Sequence, residues 1–135
     1  MMIAQSLAGL GAFAAYVGVA AGLCALYLFA YTRVTGHDDF GLIAQGGVAA
    51  AVALGASLIG FALPLGSAIL HTVGLIDCAI WGAIALATQL LAYALARLTR
   101  PGLSDAIAAG DVAAAIWLGA VSVTAGIVSA VSMSV

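Results

Sequence analysis

The feature that most constrains this chain is the placement of its charge. It carries three cationic and five anionic side chains in 135 residues. Arg33, Asp38 and Asp39, with His37, form one polar island, and Arg97, Arg100 and Asp105 form another; Asp77 and Asp111 are the only charges outside them. Before the first island runs the uncharged stretch Ser6 to Tyr31, and after the second runs Val112 to Val135. Phe40 to Ala96 lies between, too long for one crossing and enough for two. A helix rises about 1.5 Å per residue and a bilayer core is about 30 Å thick, so about 20 apolar residues make a span. The chain therefore reads as an all-α integral membrane protein, a single membrane domain over residues 1–135 with four transmembrane helices. Pro64, Gly66, Ser67, His71, Thr72 and Gly74 supply the breakers and polar groups for a turn near Leu65 to Gly74. This reading predicts helices at about residues 6–32, 40–69, 72–98 and 105–133.

Composition closes off other classes. With 66% hydrophobic and 6% charged residues, the chain has no room for a soluble catalytic or nucleotide-binding domain. Three Arg and no Lys cannot form a nucleic-acid surface. No Lys or Arg precedes the first apolar run, and that run exceeds a signal-peptide core, so it is expected to be a retained span. All three Arg fall in the connections after the first and third helices, which places those connections in the cytoplasm and both termini in the periplasm.

An internal repeat organises the chain. Ile43 to Ala56 (IAQGGVAAAVALGA) and Ile107 to Ala120 (IAAGDVAAAIWLGA) are identical at ten of fourteen positions, at an offset of 64 residues. The same offset relates Gly18 to Gly82 and Arg33 to Arg97. The unit is a helical hairpin, so the expected architecture is two tandem parallel helical-hairpin repeats, 1–70 and 71–135. A two-span unit re-enters from the same side, unlike the inverted repeats of many secondary transporters.

Four blocks, YTRVTGHDDFGLIAQGG (Tyr31 to Gly47), LIGFALPLGSAI (Leu58 to Ile69), LIDCAIWG (Leu75 to Gly82) and AAGDVAAAIWLGA (Ala108 to Ala120), occur in order. With them the chain resembles the small YjfL-like bacterial inner-membrane proteins, the family of domain of unknown function 350. The closing residues, Ser129 to Val135, depart from the finish associated with that family. The resemblance implies a four-span inner-membrane protein without an established activity, and partners among membrane-stress and ATP-grasp-type proteins. It implies no catalytic residues.

Individual residues offer few sites. Asp77 is the one charge in the apolar region between the islands, and Cys78 to Ala96 after it is nearly a full uncharged span, which puts Asp77 just below the outer surface. It is either an ion or proton site, with His71 and Gln89 as companions, or a structural carboxylate bonded to Ser67, Thr72 or His71; the structural reading is slightly favoured. Gln89 falls near mid-membrane, where an amide seeks a partner across a helix interface. Asp111 reads as a cytoplasmic-interface carboxylate near Arg97 or Arg100. His37, Asp38 and Asp39 are ligand-type side chains in succession, but such neighbours do not converge on one ion, so no metal site is assigned. Asp38 is expected to cap helix two with Asp39 in its first turn, and Ser104 and Asp105 to do the same for helix four. Cys24 and Cys78 lie in apolar helices, and no cofactor is indicated.

Seventeen Gly and thirty-three Ala make up more than a third of the chain. Small residues let membrane helices approach closely, which marks Gly18 with Gly22 and the row Ser122, Gly126, Ala130 as packing faces. These faces are more than four helices need, so homo-oligomerisation within the lipid bilayer, or packing on another membrane protein, is expected. A leucine at Gly18 or Gly126 should then disturb association more than folding. Two functional classes follow: a non-enzymatic, self-associating membrane subunit or scaffold, which is favoured, and an ion or proton pathway using Asp77.

Overall fold

The structure, a computed structural model, describes residues 2–36 and 38–133. The described residues form six helices: α1 (Met2–Thr35), α2 (Asp39–Ala44), α3 (Val48–His71), α4 (Leu75–Thr99), α5 (Leu103–Ala108) and α6 (Val112–Met133). Among them α1, α3, α4 and α6 are long and apolar enough to cross a membrane. At 1.5 Å per residue, the 24 residues of α3 extend about 36 Å and the 34 of α1 about 51 Å.

The structure corrects the predicted helices at one place and the predicted turn at another. Helices two and four are not continuous from the polar islands; each is preceded by a separate six-residue helix. The break is made by Gly46 and Gly110, at φ 84° and 95°, a left-handed conformation that only glycine adopts cheaply. At the end of α2, the Gly47 N–H donates to the Leu42 carbonyl and the Gly46 N–H to the Ile43 carbonyl. At the end of α5, Asp111 donates to Ala106 and Gly110 to Ile107. Both ends are Schellman motifs, which satisfy carbonyls that the helix end would leave orphaned. Every partner in the second motif lies 64 residues beyond its counterpart in the first, as do both boundaries of α5 relative to α2.

Pro64 provides the other correction. It is not part of the turn but lies inside α3, which continues to His71; the chain reverses over Thr72 to Gly74, where Gly74 has φ 95°. A proline has no N–H, so the carbonyl of Gly60, four residues earlier, loses its helical donor. In lipid no water replaces it. The structure covers it with α6: the Gly60 carbonyl oxygen faces the Cα of Gly126, where any Cβ would collide with it. A Cα–H group facing a carbonyl oxygen is a weak donor, and only glycine at this position of α6 lets the backbones meet.

The most extensive helix contact is between α3 and α6, and α4 packs on both. The seam between α3 and α6 is built from small side chains: Ala53, Ser57, Gly60, Ala115, Gly119, Ser122 and Gly126 are all buried. α1 differs. It touches α3 and α4, and its buried residues, Tyr27, Tyr31 and Thr35, all lie in its second half. Only 6% of its most apolar stretch is buried, against 50% in α3.

Candidate functional site

The reversal after α3 sets Asp77, in the first turn of α4, opposite the last turn of α3 and the end of α6. Asp77, His71, Thr72, Trp81, Ser132 and Met133 surround a cavity of about 180 Å³. His71 is held by its own helix: its Nδ1 lies 2.9 Å from the Ser67 carbonyl oxygen, which can only accept, so Nδ1 carries a proton. Nε2 is then the nitrogen left for any further partner. The Ser67 hydroxyl reaches across the seam to donate to the Ala130 carbonyl at 2.8 Å, tying α3 to α6 beneath the cavity. Thr72 and Ser132 return their hydroxyls to their own helices, on Ala68 and Val128. The chemical resources of the cavity are therefore one carboxylate, one imidazole nitrogen, a thioether and the Trp81 indole.

Gln89 does not join this cavity. It lies three turns further along α4, where it is fully buried at the junction of α3, α4 and α6. Its Nε2 donates to the Ser122 carbonyl at 3.1 Å, and its Oε1 has no partner. The Ser57 and Ser122 hydroxyls meet at 3.3 Å in the same layer. Gly60 is small here for the same reason: a Cβ on it would come within 2.7 Å of Gln89 Nε2. Of the three residues grouped as an ion or proton site, the structure thus brings Asp77 and His71 together and leaves Gln89 apart.

The remaining predicted residues fall as follows. The Asp38 carboxylate accepts from the Gly41 N–H at 3.0 Å and caps α2. Ser104 is not a cap. Gly102 occupies that position of α5, and the Ser104 hydroxyl instead donates to the Thr35 carbonyl at the end of α1. The real side-chain cap on this half is Asp111, which accepts from the Ala114 N–H at 3.2 Å and pairs with Arg100 at 3.3 Å. Both charged groups of that pair are exposed, so its stabilising effect is small. His37 lies outside the described residues. Gly18 and Gly22 are exposed, with nothing near where a side chain would project. The row Ser122, Gly126, Ala130 faces α3 of the same chain, which corrects the expectation for Gly126: a leucine there strikes the fold first.

The sequence did not announce the aromatic cluster at the charged end. Tyr27, Tyr31, Phe61 and Tyr93 are buried together: Tyr27 stacks on Phe61 at 4.7 Å, and Tyr31 meets Tyr93 edge-on at 5.7 Å. Ser57 faces the Tyr27 and Tyr31 hydroxyls. Asp39, expected only to complement a helix dipole, is buried beside them and accepts from the Thr35 hydroxyl at 2.7 Å. Tyrosines near helix ends read from sequence as an interfacial belt. The available signal was the four-residue spacing of Tyr27 and Tyr31, which puts both rings on one face.

Four apolar helices joined by short connections, with charge confined to their ends, define a small multi-pass membrane protein. The model of the family described as Domain of Unknown Function (DUF350) matches residues 5–133, and the chain belongs to that family. It is similar to the UPF0719 inner membrane protein YjfL of Escherichia coli strain K12, with 36% identity over 123 residues, 91% of this chain and 93% of that protein. The protein of that name from Escherichia coli O157:H7 matches with the same identity and coverage. No solved structure matches.

Proposed function

We propose that this is a non-enzymatic membrane subunit of the bacterial inner membrane that associates with itself through α1 and works with envelope or membrane-stress partners. The observation that carries the reading is the isolation of α1. The other spanning helices form a closed core, whereas α1 presents Gly18 and Gly22, and around them Phe13, Val17 and Leu26, to its surroundings. Lipid gives an apolar helix no hydrophobic reason to associate, so close backbone approach at small residues is the available driving force. The occupant that fits is α1 of a second copy. The recurrence of the Schellman motifs at an offset of 64 residues supports a chain built as two tandem hairpins. The clustering of all three Arg beyond the ends of α1 and α4, or in their last turns, supports a cytoplasmic position for that side and periplasmic termini. The test is molecular size in mild detergent. Wild type should be oligomeric and Gly18→Leu or Gly22→Leu should shift it toward monomer; a monomeric wild type, or variants of wild-type size, would overturn the reading.

One observation favours a second reading, an ion or proton pathway: Asp77 and His71 share a cavity, and Gln89 holds a buried, unpartnered oxygen deeper in the membrane. Against it, the seam between them is closed by backbone contact at Gly60 and Gly126. Proton and cation flux into liposomes separates the readings. A pathway requires flux that Asp77→Asn abolishes in a fully assembled protein; a structural Asp77 predicts no flux and tolerance of Asp77→Asn.

A further inference from the structure

The seam between α3 and α6 has an open counterpart on the outside of the molecule. Within the seam the two helices run parallel, since Ser57 meets Ser122 and, further along both, Ser67 meets Ala130. The faces that meet do not correspond under the 64-residue offset of the sequence repeat. α3 is buried along the row Ala53, Ser57, Gly60 and Pro64. The residues 64 positions later, Trp117, Val121, Thr124 and Val128, instead line an open groove of about 490 Å³ between α6 and α4. Trp117 leans aside in it, its indole N–H donating to the Thr99 hydroxyl at 3.0 Å. α6 in turn is buried along Ala115, Gly119 and Gly126. The residues 64 positions earlier, Ala51, Gly55 and Ala62, are exposed on the outer side of α3. A Cβ on Gly119 would come within 2.8 Å of the Ala56 Cβ, whereas one on Gly55 would meet nothing within 4 Å. Each helix thus buries one face of a matching pair, and the bare faces are the two that would complete a second seam.

We propose that a second copy of this chain seats the outer face of its α3 in the groove, against α6. The seam is the pattern for the contact. The offset carries Gly60 against Gly126 to Thr124 against Ala62 of the second copy, and Ser57 against Ser122 to Val121 against Leu58 of the second copy. It likewise carries Ala56 against Gly119 to Ala120 against Gly55 of the second copy. Because the seam is parallel, the second copy stands in the membrane in the same orientation as the first, as two molecules of one protein do. The new pairs are looser than those they copy: Thr124 and Ala62 hold apart backbones that touch at Gly60 and Gly126, and Val121 with Leu58 replaces a pair of hydroxyls. Association between copies is therefore weaker than the seam and separable from folding. The contact joins two unlike faces, so every copy can offer both, and the assembly closes as a ring or continues as a row. It goes beyond the association through α1, whose glycines it does not use.

Disulfide cross-linking of the full chain in native membranes tests this, with Cys24 and Cys78 replaced by Ala. One copy carries Ala62→Cys and a co-expressed copy with a different tag carries Thr124→Cys; both positions are exposed, so neither substitution disturbs the fold. Under mild oxidation the mixed pair should cross-link about fivefold more than either variant does with itself, since a disulfide needs Cα atoms within about 7 Å and the contact joins unlike faces. Gly55→Leu in the Ala62→Cys copy should remove most of the mixed product and leave that chain's unfolding temperature unchanged, because its side chain enters open space in the single molecule. Absence of the mixed product, equal cross-linking of Ala62→Cys with itself, or a product untouched by Gly55→Leu overturns the proposal. Capture of a different membrane protein by either cysteine in place of the mixed pair overturns it as well. The cross-link reads this contact alone, so its result stands apart from the change of size expected of Gly18→Leu.

Discussion

The seam between α3 and α6 and the first half of α1 are made of the same residues and have opposite fates. Both are rich in Gly and Ala, both lack charge, and both carry glycines at helical spacing. In the seam, Gly60 and Gly126 touch backbone to backbone and a polar layer of Ser57, Ser122 and Gln89 sits one turn away. On α1, a side chain at Gly18 or Gly22 would meet nothing within 4 Å. The difference is not in the glycines but in what accompanies them. A proline that releases a carbonyl, and an amide and two hydroxyls that need partners, fix which faces must meet; α1 has no such demand in its first half. Small residues permit close approach, and unsatisfied polar groups decide where it happens.

The contrast can be broken most directly at Gly126. A leucine there would drive a side chain into the Gly60 backbone, which cannot yield as a flexible side chain would. We expect a loss of roughly 3 kcal/mol or more, or no folded protein, read as thermal unfolding and monodispersity in detergent. A Gly126→Leu protein that folds like wild type would mean the seam is not the core. Gln89→Ala should follow, costing about 2 kcal/mol through the lost bond to the Ser122 carbonyl and the cavity left behind. Ser57→Ala should be smaller, about 0.6 kcal/mol, because it removes one weak bond at 3.3 Å. Gly18→Leu should change the stability of the single chain least, by less than about 0.5 kcal/mol, since its side chain enters open space. A large loss in unfolding temperature for Gly18→Leu at a dilution where the chain is monomeric would erase the distinction between the two regions.

The spans were legible because eight charges in a long apolar chain leave little choice of register, and the sequence placed α1, α4 and the turn at Gly74 closely. The Asp38 cap was legible because the side chain acts within its own turn. Three features were not. The breaks at Gly46 and Gly110 look like ordinary glycines until the backbone sign is seen. Pro64 reads as a stop signal, and its tolerance depends on a residue of α6 62 positions later. Ser104 looks like a cap but serves the end of α1. The first is settled by a backbone conformation that residue type alone does not reveal, and the other two by a partner distant in sequence. The candidate site shows the same limit: Asp77 and His71 are six residues apart and could be paired by inspection, whereas Ser132 and Met133, which complete their cavity, come from the far end of α6.

The carbonyl that Pro64 releases also bears on how the protein is made. A ribosome delivers α3 to the bilayer before α6 exists, so for that interval a bare backbone oxygen stands in the middle of a span with no helical donor. The first hairpin is thus a provisional occupant of the membrane, completed only when Gly126 arrives. The two parts of the chain consequently depend on each other for stability: residues 1–70 expressed alone should be short-lived, and co-expression of residues 71–135 as a separate chain should rescue them.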